Sequence, residues 1–249
     1  MTADDLLDAL ALPPSTRVDR RVPKTLLTEH APTAADRRLV QSGVERLHWT
    51  HALKPTTAGV PSFRDDDREI LEIAVLHLAT RPDTKTARLV ETVHRAIPYP
   101  VVLVTEPLEG DGHLSLVHKR TSRDGTGRAV LDGALVQTPD ADPEAARAFL
   151  DALPLASQPQ TSLFAVYQSW MDAITSLDAA TVLGTFARPI SREHAQARRQ
   201  ALDDLARLDA EIAALRRSAA REKQVARRAD LNLRLARLRS QRQAAIDTI

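Results

Sequence analysis

A chain of 249 residues that is 43% hydrophobic can bury a core of its own, and its near-neutral net charge of +1 conceals an imbalance between its parts. It has no cysteine, which excludes disulfides, thiolate zinc sites and cysteine nucleophiles. No apolar run approaches the roughly 18 residues of a membrane span, and the acidic amphipathic N-terminus lacks the basic region of a signal peptide. A soluble, cytoplasmic protein with no membrane partner is expected.

Residues 3–10 predict a short helix with Leu6, Leu7 and Leu10 on one side, ended by Pro13–Pro14. Another short helix is expected over 22–29, and a third over 34–43, N-capped by Thr33 and facing Leu39 and Val40 inward. Val44, Leu47 and Trp49 alternate enough to predict a strand over 45–53. A loop follows from Pro55 to Pro61, then a charged turn from Arg64 to Arg68. The nearly continuous apolar run 69–80 reads as a strand buried on both faces, with a helix as the alternative.

Asp83 or Thr84 caps an amphipathic helix over 84–97, stopped by Pro98 and Pro100. Residues 100–106 form a central strand, and 112–120 with 127–135 a hairpin around Asp124–Gly125. A helix over 144–152 starts at Asp142 or Pro143, Pro154–Gln160 is a linker, and 161–182 is an apolar helix with a break near Asp178. The fold class is therefore α+β: a small, mostly antiparallel sheet with packed helices, followed by a long C-terminal helical or coiled-coil arm. The expected divisions are a head over 1–155, a connecting helix within 156–190 and a basic arm over 191–249.

The arm contains neither glycine nor proline and is rich in Ala, Leu, Arg and Gln. Leu205, Leu208, Ile212 and Leu215 recur at alternating spacings of three and four, the seam of a coiled coil, and Leu231, Leu235 and Leu238 continue an apolar stripe. One helix of 58 residues, roughly 87 Å long at ~1.5 Å per residue, satisfies this pattern. So does an antiparallel hairpin with its bend near Ser218–Ala220. The arm holds 14 basic and 8 acidic residues, the preceding 190 hold 20 and 25, so an acidic head precedes a basic arm.

The residues carry no recognisable catalytic motif, and no cofactor or metal is expected. His48 and His51, three apart in a strand, point to opposite faces and make no metal pair. Asp67, Glu69 and Glu72 are the only acidic cluster that suggests a degenerate metal-dependent nuclease, but the strand lacks the lysine that a Glu-x-Lys core needs. The 123–128 loop, Arg-Asp-Gly-Thr-Gly-Arg, lacks the context of a phosphate-binding loop and reads as a hairpin turn. Lys119 and Arg120 end a strand and are candidate phosphate contacts. In the arm, Arg216, Arg217, Arg221, Lys223, Arg227 and Arg228 are the stronger candidates. The arm has no aromatic residue, which argues against stacking on single strands.

Trp49 with Leu53, Ile97–Pro98 ahead of a strand, Lys119–Arg120 after a later one, and Glu222–Lys223–Gln224 in the C-terminal helical region follow one another in an order that resembles the bacterial proteins grouped as domain of unknown function 4391. The resemblance covers about residues 20–245. It implies an accessory role beside helicases and DNA methyltransferases in defence-type gene islands, and it brings no active site with it. The expected function is a non-catalytic adaptor of such a helicase–methyltransferase system that docks to the helicase or methyltransferase, or to itself, through the arm. A nucleic-acid-binding subunit and a degenerate nuclease are the alternatives.

Overall fold

The computed structural model of the protein describes residues 1–122 and 129–249. In chain order the elements are α1 (Ala3–Ala9), β1 (Arg17–Arg21), α2 (Lys24–Glu29), α3 (Ala34–Gly43), β2 (Val44–Leu53), α4 (Pro55–Ala58), β3 (Phe63–Arg64), β4 (Glu69–Ile70), β5 (Ile73–Thr80), α5 (Thr86–Ala96), β6 (Val101–Glu106), β7 (His113–Thr121) and β8 (Ala129–Gln137), then α6 (Pro143–Asp151), α7 (Leu163–Leu183), α8 (Arg192–Arg221) and α9 (Val225–Ile246). The chain divides into two compact units, Met1–Leu177 and Asp178–Ile249, with the boundary inside α7.

Unit 1 is built on a six-stranded sheet in the order β1-β2-β5-β6-β7-β8. Every pairing is antiparallel except β5 with β6, which run parallel and are joined by α5. A parallel pair needs a crossover of a dozen or more residues, and the amphipathic segment between these strands supplies it. All eight residues of β5 are buried, so this strand is central and covered on both faces. One face packs Ala74, Leu76, Leu78, Val101 and Leu103 against Leu27, Val40, Leu89, Val90 and Val93 from α2, α3 and α5. Arg88 of α5 grips Asp36 of α3 through Nε and Nη2, at 2.7 and 2.9 Å, and ties the two helices together. Beside the sheet's other strands lies Tyr167, fully buried on α7, whose Oη accepts from Val117 N–H at 3.0 Å and reaches the Val101 carbonyl at 2.9 Å.

Local caps follow the sequence closely. Thr2 and Asp5 make a reciprocal capping box on α1, Thr33 caps α3, Asp142 caps α6, and Ser191 caps α8. Three expectations need correction. The run 69–80 is two strands, because Leu71 turns out to solvent and Glu72 is drawn to Lys54. Neither Asp83 nor Thr84 caps α5: Asp83 has φ +55, and Thr84 Oγ1 donates to the Arg81 carbonyl. Helix α7 continues through Asp178, which is exposed, so one poor helix former costs it little.

The strand β1 was not anticipated at all. Its burial pattern is almost wholly exposed, and it lies at the edge of the sheet, where its charges discourage pairing with another chain. A bulge separates Arg17 from Arg20, with Asp19 in the left-handed region at φ +54 and its carboxylate 3.1 Å from His48 Nε2. At the other edge, β7 and β8 pair as expected, while the Asp124–Gly125 turn lies outside the described residues.

Candidate functional site

Unit 2 resolves the two readings of the arm. Helices α8 and α9 form a hairpin, and the bend falls at Glu222–Gln224, a few residues beyond Ser218–Ala220. The helix runs on because Ala219 is still buried in the hairpin core and residues 222–224 have no such anchor. Gln224 N–H donates to Glu222 Oε1 at 2.8 Å, and Glu222 N–H donates to the Ser218 carbonyl at 3.1 Å, so the turn is made without glycine or proline. The Glu-Lys-Gln of the resemblance is this turn.

The apolar seam closes within the chain. Ile212, Ala219 and Leu235 are buried together with Leu215, Leu231 and Leu238 packed around them. Nearer the base, Ala201 and Leu205 cluster with Ala179, Ile246 and Ile249, and Leu208 is buried as well. Six of the seven seam residues thus pack within these two clusters of the hairpin, and the seventh, Leu208, is buried.

Charge is distributed unevenly along the hairpin. Toward the base, Arg207 pairs with Asp204 and Glu211, and Arg242 Nε lies 2.6 Å from Asp209 Oδ1 across the two helices. At the tip, Arg216, Arg217, Arg221, Lys223, Arg227 and Arg228 are all exposed, and among the described residues none of them makes an ion pair. Only Glu222 and Asp230 carry negative charge in the same stretch. Below the tip, Arg234 and Arg237 border an open groove between the helices, floored by Leu215 and Leu238, with Glu211 on its opposite side. Six guanidinium and ammonium groups held around one turn form a polycationic surface suited to phosphate.

The other two candidate cations are placed differently. Lys119 is buried, 7% exposed, and its ammonium donates to the carbonyls of Ile97 and Tyr99. Burial pushes its pKa down to about 7. It is therefore a staple for the segment ahead of β6 and no surface cation. Arg120 turns toward Asp132, 3.7 Å away.

Lys119 and Arg120 also line a cleft of about 220 Å³ with Glu69, Glu72 and Tyr99. Glu72 Oε2 is 2.9 Å from Lys54 Nζ, while among the described residues its buried Oε1 has no hydrogen-bond partner. Lys54 was missed in the sequence because its partner is eighteen residues away along the chain. The acidic cluster does not converge: Glu69 pairs with Arg64, Glu72 with Lys54, and among the described residues no group of three or more acidic or histidine side chains is arranged to hold a metal. The expectation for His48 and His51 needs correction: the bulge between Trp49 and His51 shifts the register, so the two pair with His77 and Val75 and share one face, where His48 Nε2 lies 3.1 Å from Asp19 Oδ1.

A family model described as a domain of unknown function, DUF4391, matches residues 10–241. The chain belongs to this family. No curated protein and no solved structure matches it. Within this DUF4391 chain the stretches that carried the resemblance fall into two places: Glu222–Gln224 at the hairpin turn, and Trp49, Ile97–Pro98 and Lys119 around one segment of unit 1. No helix among the described residues is long and apolar enough to cross a membrane.

Proposed function

We propose that this DUF4391 protein is a non-catalytic, cytoplasmic accessory protein that grips the phosphate backbone of nucleic acid with the tip of its C-terminal hairpin. The observation that carries the reading is the pairing pattern of the hairpin: its seam is filled from within, and among the described residues its six tip cations have no carboxylate partner. Unpaired surface arginines repel one another, and a polyanion relieves that repulsion while releasing condensed counterions. The absence of aromatic residues from the arm favours backbone contact with duplex over stacking on single strands. Membership of a helicase–methyltransferase defence or restriction-like system fits such a role, because each of those enzymes works on the same polymer.

A second reading is docking of the hairpin on the helicase or methyltransferase itself. It is favoured by Val225 and Leu233, which are 73% and 62% exposed among the arginines of α9. The two readings separate in one experiment. The full chain with Arg216, Arg217, Arg221, Lys223, Arg227 and Arg228 all changed to Gln is compared with wild type for binding labelled duplex DNA and RNA at low salt. Loss of binding with unchanged helicity supports the phosphate reading; equal binding, or none by wild type, refutes it. A Val225→Ser, Leu233→Ser variant that loses only its protein partner would support docking instead.

A further inference from the structure

A second, independent site lies in unit 1, and it begins with the unanticipated edge strand. Arg20 of β1 is paired directly across from Trp49 of β2. Residues directly opposite in an antiparallel pair project from the same face, with Cβ atoms about 5 Å apart, so the guanidinium of Arg20 belongs beside the indole. Trp49 is half-buried, and its Nε1–H donates to the His51 carbonyl at 2.8 Å, which fixes the plane of the ring.

These two side chains border an apolar pocket of about 350 Å³. Its floor is Ala74 and Leu76 of β5, its walls include Leu26 and Ile97, and Arg21 and Tyr99 complete the rim. The volume sits at the lower end of the roughly 300–1,000 Å³ typical of ligand pockets, which are likewise apolar with a few polar groups at fixed places. Arg20 and Arg21 are exposed, and among the described residues neither has an ion-pair partner.

The far wall is held rigidly. Tyr99 stands between Pro98 and Pro100, whose rings restrict the backbone on either side. The buried ammonium of Lys119 ties down the carbonyls of both Ile97 and Tyr99. A wall fixed by an internal lysine and two prolines costs little ordering when a ligand enters.

An apolar slot with a fixed indole on one side and the unpaired guanidinium of Arg20 at its mouth calls for a flat, largely apolar ring that carries an anion. We propose that this pocket binds a nucleoside 5′-monophosphate unit, its base against Trp49 and its phosphate on Arg20. Planar guanidiniums bind phosphate through two parallel hydrogen bonds, and a base of any identity has a π-face to offer the indole. The same unit occurs free or at the 5′ end of a strand. The site does not depend on the hairpin, and its failure would leave the hairpin reading intact.

The test is calorimetric titration of the full chain with AMP, GMP, CMP and UMP, alongside adenosine, ribose 5-phosphate and a 5′-phosphorylated trinucleotide. At least one monophosphate is expected to bind at micromolar to low-millimolar concentration, and ten-fold or more tighter than its nucleoside or the sugar phosphate. Arg20→Gln, at an exposed position, should weaken it at least ten-fold, and Trp49→Leu should do the same. The Arg227→Ala, Arg228→Ala variant should bind the monophosphate as wild type does. Tighter binding of the trinucleotide than of the matching monophosphate would assign the site to strand ends; the reverse would assign it to free nucleotide. Absence of binding by all four monophosphates and the trinucleotide, or binding that ignores the loss of Arg20, would overturn the proposal.

Discussion

The closed hairpin makes a sharp prediction at two leucines on one helix. Leu235 is 6% exposed at the centre of the distal cluster, while Leu233, two residues earlier, is 62% exposed. Leu and Ala differ little in helix propensity, so changing either to Ala isolates the packing contribution. Removing a buried Leu side chain costs about 2–5 kcal/mol, and the surface position of this cluster, whose neighbours Leu215, Leu231 and Leu238 are themselves only half-buried, favours the lower end, about 2–3 kcal/mol. Leu233→Ala should stay within about 0.5 kcal/mol of wild type. Urea titration followed by far-ultraviolet circular dichroism reads the effect directly, since α8 and α9 contribute 30 and 22 helical residues. The midpoint for Leu235→Ala should fall and should not vary over a ten-fold range of protein concentration. Equal losses at both leucines, or a midpoint that rises with concentration, would refute the intramolecular hairpin and restore a coiled coil between chains.

Other predictions concern unit 1. Burial lowers the Lys119 pKa from 10.5 to about 7, so the unfolded chain holds more protons between those values and stability should climb with pH across that window, by up to about 1.4 kcal/mol per unit. Lys119→Met should flatten that climb in urea titrations at pH 7, 8 and 9; an unchanged slope contradicts the burial. His94 is fully buried beside Ser115, with its pKa driven well below 6.5 first by desolvation and then by Lys119. Stability is therefore lost as pH falls below 6.5, and His94→Gln should lose less between pH 7 and 5 than wild type does. Gly112 leaves no room for a side chain, because a Cβ there would lie 2.6 Å from the backbone nitrogen of Ala3. Gly112→Ala should cost about 1–3 kcal/mol by thermal melting, and a neutral result would mean that the start of α1 moves freely.

What the sequence disclosed depended on how local the physics was. Strand β5 was legible because its eight buried residues are nearly all apolar, and the helical arm because a spacing of three and four recurs over 205–215 and again over 231–238. Caps made by a side chain on its own backbone, as at Thr33 and Asp142, were legible for the same reason. Strand β1 was not, since Arg17–Arg21 shows no apolar alternation and becomes a strand only by pairing with β2. Nor was the break at Leu71–Glu72, which depends on Lys54, or the true setting of Lys119, whose acceptors lie on a segment twenty residues away. Of the candidate site, the six tip cations were named from composition alone, but their isolation from carboxylates is a property of the fold. The apolar positions of the arm could be read along the chain, but that they pack between α8 and α9 follows from the turn at Glu222–Gln224. Arg20 and Arg21 drew no notice, because two adjacent arginines carry no signal until Trp49 is placed opposite one of them.

The central claim is that the hairpin tip meets phosphate, and the salt dependence of binding tests it most directly. Log affinity for duplex DNA against log salt should be linear, with a slope set by the number of phosphates neutralised, at most about −5 for six cations at ~0.9 each. Arg227→Ala with Arg228→Ala should reduce that slope by about 2 and weaken duplexes of unrelated sequence alike. A slope near zero for wild type, or a wild-type slope unchanged in the double variant, would contradict the account.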